Sequence, residues 1–438
     1  MSMKRVLAGL SLALCADAHA AEACVERAQQ ILQALDRGEY EQARADFDAR
    51  MQAGLSADQL AQVWKALPQQ AGARKQVGPA RLSGQTAIIP IEHALAWLEL
   101  QVSCNSEGQV TGLYVRPGQA PAAPSAPEQS AVWTEQELEI ATGALKLPGT
   151  LTLPREDLHA VVVLVHGSGA HDRDETIGPN KVFRDLAHGL AAHGIAVLRY
   201  EKRSKAKPEW FSGRSYTVQD EVIDDVLAAL NALDAVERLQ EQPRFVLGHS
   251  LGAMLAPRIA SQRPGLAGIA LLAAPARPLP DLIDEQMRYL VEVDGKVDEA
   301  ERAKLKELEP VLARVRALSD DDRADPTPIF GAPAAYWLDL ANYDPRAQAR
   351  RLALPTLLLQ GEGDYQVTMN KDYAQWTAAL GKEAWFSAHS YAGLSHQFMP
   401  AGSPPSPADY QRPAQVDSKV IQTLADWITS TAAAADAG

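Results

Sequence analysis

The 438-residue chain is short of cysteine, of aromatic side chains and of long apolar runs. Its three cysteines, Cys15, Cys24 and Cys104, are too few for a disulfide framework. Aromatic residues make up only 6% of the chain, and positive charge is in deficit: 42 Lys and Arg stand against 55 Asp and Glu, a net charge of −13. That balance gives a phosphate backbone no electrostatic footing, so nucleic acid is not an expected partner. Beyond the N-terminus no apolar stretch is long enough to span a bilayer. No blade-like repeat occurs, which argues against a β-propeller, and no glycine-rich dinucleotide fingerprint follows the first strand of the parallel set described below. No cofactor is expected.

What is present begins with a targeting pattern. Met1-Ser2-Met3-Lys4-Arg5 is a basic start, Val6 to Cys15 a short apolar region, and Ala18-His19-Ala20 a small-residue cleavage site. The pattern predicts an exported, periplasmic protein with residues 1–20 removed. Leu14 is too large for the lipobox that would make Cys15 a lipid attachment site. Cleavage leaves Cys24 and Cys104, both in the N-terminal segment, and predicts one disulfide between them.

Residues 21–116 read as a small α+β domain. A helical pattern runs from Val25 to Phe47. Ser56 is a helix N-cap before a face of Leu60, Val63, Trp64 and Leu67, and strand-like runs follow over 85–91, 94–102 and 109–115. Residues 117–132, rich in Pro, Ala and Ser, read as an extended linker. Residues 133–155 read as an edge hairpin of two strands, 138–145 and 150–153, turning at Pro148-Gly149.

From Ala160 short continuous apolar runs alternate with helical stretches: 161–165, 195–198, 245–247, 269–272 and 356–359. Continuous rather than alternating runs belong to strands covered on both faces, so residues 133–438 are expected to form an α/β domain around a doubly wound, mostly parallel sheet. The helix from Ser418 to Ser430 completes it. The rhythm is interrupted at about 280–344 by a charged helical insertion with Leu305, Leu308, Leu312, Val315 and Leu318 at helical spacing. It is expected to cap the sheet edge, with Tyr336, Trp337 and Leu338 as candidate pocket or core residues.

The chemistry-bearing motif is Gly248-His249-Ser250-Leu251-Gly252, set between the apolar run 245–247 and the start of a helix. A serine on a sharp strand-to-helix turn is pushed clear of the sheet, and the flanking glycines permit the turn and close packing. A hydroxyl needs a base within reach, and the base needs an acid to hold its tautomer. Both follow in the chain. Asp364 lies on the loop after 356–359, with Glu362 as fallback; His396 follows the strand expected at 384–387. His389 and His249 read as structural neighbours. Oxyanion donors are expected from the backbone N–H of Leu251 and, in the loop His166-Gly167-Ser168-Gly169, from that of Ser168, with Gly169 as the neighbouring alternative. The charged run His171-Asp172-Arg173-Asp174-Glu175 lacks a second cluster of ligands and contains an arginine; it reads as a salt-bridged loop, not a metal site.

The segments His166-Gly167-Ser168-Gly169-Ala170-His171-Asp172-Arg173-Asp174-Glu175, Gly178-Pro179-Asn180-Lys181 and Leu198-Arg199-Tyr200-Glu201-Lys202-Arg203 together resemble bacterial carboxylesterases of the α/β-hydrolase family over roughly residues 133–430. Ala170 stands where relatives often carry proline. The first unit resembles the small α+β domain of unknown function that often precedes such enzymes. The resemblance implies hydrolysis of simple carboxylic esters through an acyl-enzyme, with Ser250, Asp364 and His396 matching the triad and a small-molecule ester as partner. A serine peptidase or thioesterase of the same fold, and a binding protein that keeps the fold without the chemistry, are the alternatives.

Overall fold

A computed structural model describes residues 24–83, 86–105, 107–118, 130–293, 295, 297 and 299–436. The expected leader, residues 1–20, and most of the expected linker lie outside the described residues. The chain divides into two compact units, Met1–Pro124 and Ser125–Gly438.

In the first unit helices precede an antiparallel sheet of five strands: β1 (Arg74–Val77), β2 (Arg81–Ser83), β3 (Thr86–His93), β4 (Trp97–Cys104) and β5 (Val110–Pro117). The single helix expected over 25–47 is interrupted. It runs over 24–37 and stops where Gly38 turns into the left-handed region at φ +73°; Phe47 instead bridges to Val110. Ser56 caps its helix reciprocally with Gln59. The expected apolar face is only partly right, because Val63 is 52% exposed while Leu60 is buried. Ile31, Leu35, Ile89, Leu100 and Val102 form the core. Cys24 and Cys104 form a disulfide across it, with Cα atoms 5.9 Å apart. Closing a loop 80 residues long restricts the unfolded chain, so reduction is expected to destabilise this unit by about 2–4 kcal/mol. Urea unfolding with and without reductant measures it; an unchanged transition would remove the disulfide from the stability account.

In the second unit eight strands form one sheet in the order β15-β14-β13-β12-β8-β11-β7-β6. They are β6 (Trp133–Thr142), β7 (Leu145–Pro154), β8 (Ala160–Val165), β11 (Ile195–Tyr200), β12 (Arg244–His249), β13 (Gly268–Leu272), β14 (Thr356–Gly361) and β15 (Phe386–Tyr391). The two-residue strands β9 (Thr176–Ile177) and β10 (Asn180–Lys181) pair separately. From β8 to β15 the sheet is parallel; β7 joins β11 antiparallel, and β6 joins β7 antiparallel. The apolar runs are buried on both sides as their continuity predicts. Val161, Val163 and Val165 enter one core, and Val162 and Leu164 enter the other. The closing helix, Ser418–Asp436, buries Val420, Leu424 and Ile428 in the second core.

Two local expectations fail. The edge hairpin turns at Gly143-Ala144, with Gly143 at φ +57°, whereas Pro148 and Gly149 lie inside β7. Gly149 serves close packing: a Cβ there would lie 2.8 Å from the Leu138 carbonyl oxygen and 3.2 Å from that of Arg199. The last strand starts at Phe386, later than the expected 384, so His389 is a strand residue paired with Leu359. The insertion between β13 and β14 forms helices Leu279–Glu292, Glu299–Arg316 and Ala334–Ala341, with Leu308, Leu312 and Val315 buried. Among the described residues no helix is long and apolar enough to cross a membrane.

Candidate active site

After β8 the chain leaves toward β11 on one side, while β12 pairs on the other. The carboxyl ends of β8 and β12 thus flank the point where strand order reverses, the crevice in which open α/β sheets place ligands. Register brings Gly248 opposite Val165 there.

Ser250 sits between β12 and the helix Leu251–Gln262 at φ +53°, ψ −116°. A non-glycine residue in the left-handed region costs about 1–3 kcal/mol and persists only where its surroundings enforce it. The flanking glycines are part of that enforcement. A Cβ on Gly248 would lie 2.3 Å from the Gly252 backbone, and one on Gly252 would lie 2.1 Å from the Val165 carbonyl oxygen. The Leu251 N–H opens the helix, at the positive end of its dipole.

The loop after β8 passes directly over this turn, for a Cβ on Gly167 would lie 3.2 Å from the Ser250 Cβ. Glu175 Oε1 accepts the Gly167 N–H at 2.8 Å, so the next donor along the loop is the N–H of Ser168. Lys202 Nζ donates to the Gly167 carbonyl at 2.9 Å, and His171 Nε2 to that of Ser168 at 2.7 Å. His166 donates through Nε2 to the Asp172 carbonyl; burial pushes its pKa down to about 3, so it is a neutral spacer.

Asp364 and His396 meet on the next loops. Asp364 Oδ2 accepts from His396 Nδ1 at 2.7 Å and from Gln360 Nε2 at 3.0 Å, while Oδ1 accepts from the N–H groups of Gln366 and Val367 at 2.7 and 3.0 Å. Both side chains are buried. The two loops can approach because position 361 is glycine; a Cβ there would lie 2.4 Å from the carbonyl oxygens of Leu394 and Ser395. Ser250, His396 and Ser168 line one cavity of about 710 Å³, whose remaining wall includes Tyr336 and Trp337 of the insertion. Leu338 lies outside that lining. Glu362 instead accepts from the Ser390 hydroxyl at 2.8 Å.

The charged loop is salt-bridged. Asp174 pairs with Lys181 at 2.9 Å and Arg199 at 3.1 Å, and Arg173 with Glu137 at 2.9 Å and Glu201 at 3.1 Å. Its last member does something the sequence did not suggest. Glu175, at φ +48°, reaches from the Gly167 N–H to His249 Nδ1, 2.9 Å from its second oxygen, and His249 Nε2 lies 2.9 Å from the His396 carbonyl oxygen. His249 Nε2 donates to the His396 carbonyl and Nδ1 lies at ion-pair distance from the Glu175 carboxylate, so each side chain favours the charged form of the other. Burial alone would raise the Glu175 pKa, but the charge on His249 holds it well below the usual 4.5. Burial would lower that of His249, but the Glu175 charge raises it above the usual 6.5.

The depressed carboxylate contributes stability above its unfolded pKa, lost as pH falls through the folded one. The raised imidazole contributes below its unfolded pKa, lost as pH rises through its folded one. The pair therefore stabilises most between 4.5 and 6.5. Glu175→Gln is expected to destabilise the second unit most in that window and progressively less on either side. Urea unfolding across the pH range checks this; a pH-independent difference contradicts it.

Glu175, Lys202, Glu221 and Gln360 were not singled out by sequence reasoning. The available signal was the charged Glu201-Lys202-Arg203 at the end of an otherwise buried strand, where a solvated end is the ordinary expectation but Lys202 and Arg203 are buried.

A strained serine at the switch point of a parallel sheet, with a buried acid–imidazole pair in the same cavity, is the framework of the α/β-hydrolases. The chain belongs to this class, and within it to the family described as serine aminopeptidase, S33, whose match covers residues 156–400. Residues 28–113 match a family described only as a protein of unknown function (DUF3887). The chain is 33% identical to esterase EstD of Thermotoga maritima, over 91% of this chain and 93% of the relative. It is 22% identical to the monoglyceride lipase of Mus musculus, over 64% of this chain and 85% of the relative. Among solved structures it is similar to Est1E from Butyrivibrio proteoclasticus, at 14% identity and a TM-score of 0.42, covering 69% of this chain and 99% of that one.

Proposed function

We propose that the protein is an exported serine carboxylesterase. The observation that carries this reading is the Asp364–His396 hydrogen bond of 2.7 Å in a cavity shared with Ser250. In this reading Ser250 Oγ attacks the ester carbonyl and His396 takes its proton. The N–H groups of Ser168 and Leu251 receive the oxyanion, and His396 returns the proton to the departing alcohol. Water, deprotonated by His396, then releases the acid. Asp364 fixes the tautomer that puts the accepting nitrogen of His396 at Nε2.

The identity to an esterase over nearly the whole chain supports ester rather than amide hydrolysis. So does the cavity chemistry. An aminopeptidase needs an anionic group for the substrate ammonium, but the carboxylates lining this cavity, Glu175 and Glu221, are already paired with His249 and Lys202. Turnover of p-nitrophenyl esters of graded acyl length, set beside aminoacyl p-nitroanilides, is expected to favour the esters; faster cleavage of the anilides would overturn the reading. Export is supported by the Cys24–Cys104 disulfide. Its test is the mature N-terminus by mass spectrometry, expected at Ala21.

A further inference from the structure

The Gly167 carbonyl and the Ser168 N–H belong to one peptide group. Cis peptides among the described residues are confined to Ser403-Pro404, so this one is trans and planar, and its N–H points opposite its C=O. Lys202 Nζ sits on the carbonyl side, 2.9 Å from the oxygen. Its side chain is 3% exposed and its charge is balanced by Glu221, 3.1 Å away. The Lys202 backbone docks on the same loop, its N–H donating to the His171 carbonyl at 3.1 Å. The Gly167 N–H is taken by Glu175. Buried ionised groups thus hold both faces of Gly167, one on its N–H and one on its C=O.

We propose that Lys202 is a positioning residue for the oxyanion site, acting through the Gly167–Ser168 peptide. A cation hydrogen-bonded to the carbonyl oxygen draws electron density along the amide and makes the N–H at the far end a stronger donor. It also fixes the peptide plane, aiming that N–H away from Lys202 with no reorganisation when the oxyanion forms. The benefit falls on the tetrahedral state, where negative charge has developed, and not on the bound ester. Glu221 lowers the desolvation cost of burying the ammonium. The proposal rests on Ser168 being an oxyanion donor in the esterase reading.

The test compares binding of two ligands with turnover. Lys202→Met is expected to lower kcat on p-nitrophenyl butyrate about ten- to a hundredfold, less than or comparable to the loss of a direct donor, with KM changed by about twofold or less. Affinity for a trifluoromethyl ketone, which forms a tetrahedral oxyanion adduct, should fall by the same factor as kcat. Affinity for the matching secondary alcohol, which cannot form one, should stay. Lys202→Gln, which keeps a neutral donor, should fall between Lys202→Met and wild type, and Lys202→Arg should recover most of the activity. Equal losses for ketone and alcohol, or a folded Lys202→Met with wild-type kcat, would overturn the proposal. If the unpaired Glu221 prevents folding, Lys202→Met/Glu221→Gln removes that charge; it should show the same selective loss, and wild-type ketone affinity there refutes the role. Failure of the esterase reading looks different: wild-type protein would then leave Ser250 unlabelled by a fluorophosphonate.

Discussion

Ser250→Ala is expected to lower ester turnover by roughly 10⁴- to 10⁶-fold and to abolish fluorophosphonate labelling, while leaving the unfolding transition in place. The size follows from what the substitution removes. Oxyanion donors and the cavity stay, so the residual rate is that of water attacking a bound, polarised ester. The covalent route is lost entirely. Stability should not suffer, because the left-handed backbone at Ser250 is imposed by Gly248, Gly252 and the N–H bond to the Leu272 carbonyl at 2.9 Å, none of which involves the hydroxyl. Steady-state kinetics and intact-mass labelling on the same preparation decide the matter. An alanine variant with undiminished turnover would move the nucleophile elsewhere, and Ser168 would be examined next.

The second large effect is expected from Asp364→Asn, a loss of about 10⁴-fold in kcat with little change in fold. The carboxylate is held by four donors, and three of them do not depend on His396. The asparagine oxygen can keep the backbone N–H bonds of Gln366 and Val367, so the loop is retained. Its amide then faces His396 Nδ1 as a donor. That nitrogen must become the acceptor, and the proton moves to Nε2, where a base is required. The loss should shrink at alkaline pH, where hydroxide replaces the missing base. A variant retaining more than about a tenth of wild-type kcat at neutral pH would show that Asp364 does not orient the base.

Much of this was legible before any coordinates. Burial on both faces writes itself as an unbroken apolar run, so the strands from Val161 to Leu359 could be located to within a residue or two. The order serine, acid, histidine follows from the topology, because each loop leaves the carboxyl end of its own strand. Where reading failed, a residue had two possible physical reasons and the sequence could not choose. Pro148-Gly149 has the composition of a turn, yet Gly149 is there because two neighbouring carbonyls leave no room for a Cβ. Val63 falls on the periodic stripe of its helix but is half exposed among the described residues. Glu175, Lys202 and Gln360 were missed for a different reason. Their meaning lies in what they touch: Lys202 serves a carbonyl 35 residues earlier in the chain, and no periodicity records such a contact.

The helices that complete the cavity wall enter and leave between β13 and β14, which pair with each other from Ile269↔Thr356 to Leu272↔Leu359. The sheet therefore closes beneath the insertion without using it. The insertion also meets the loop that carries the acid: Gln286 Nε2 donates to the Gln366 carbonyl at 3.1 Å and the Tyr289 ring stacks on Tyr365, while Leu282, Ile283, Tyr336 and Trp337 line the cavity. A change of length or sequence in this segment is therefore expected to reach the Asp364 loop as well as the cavity wall.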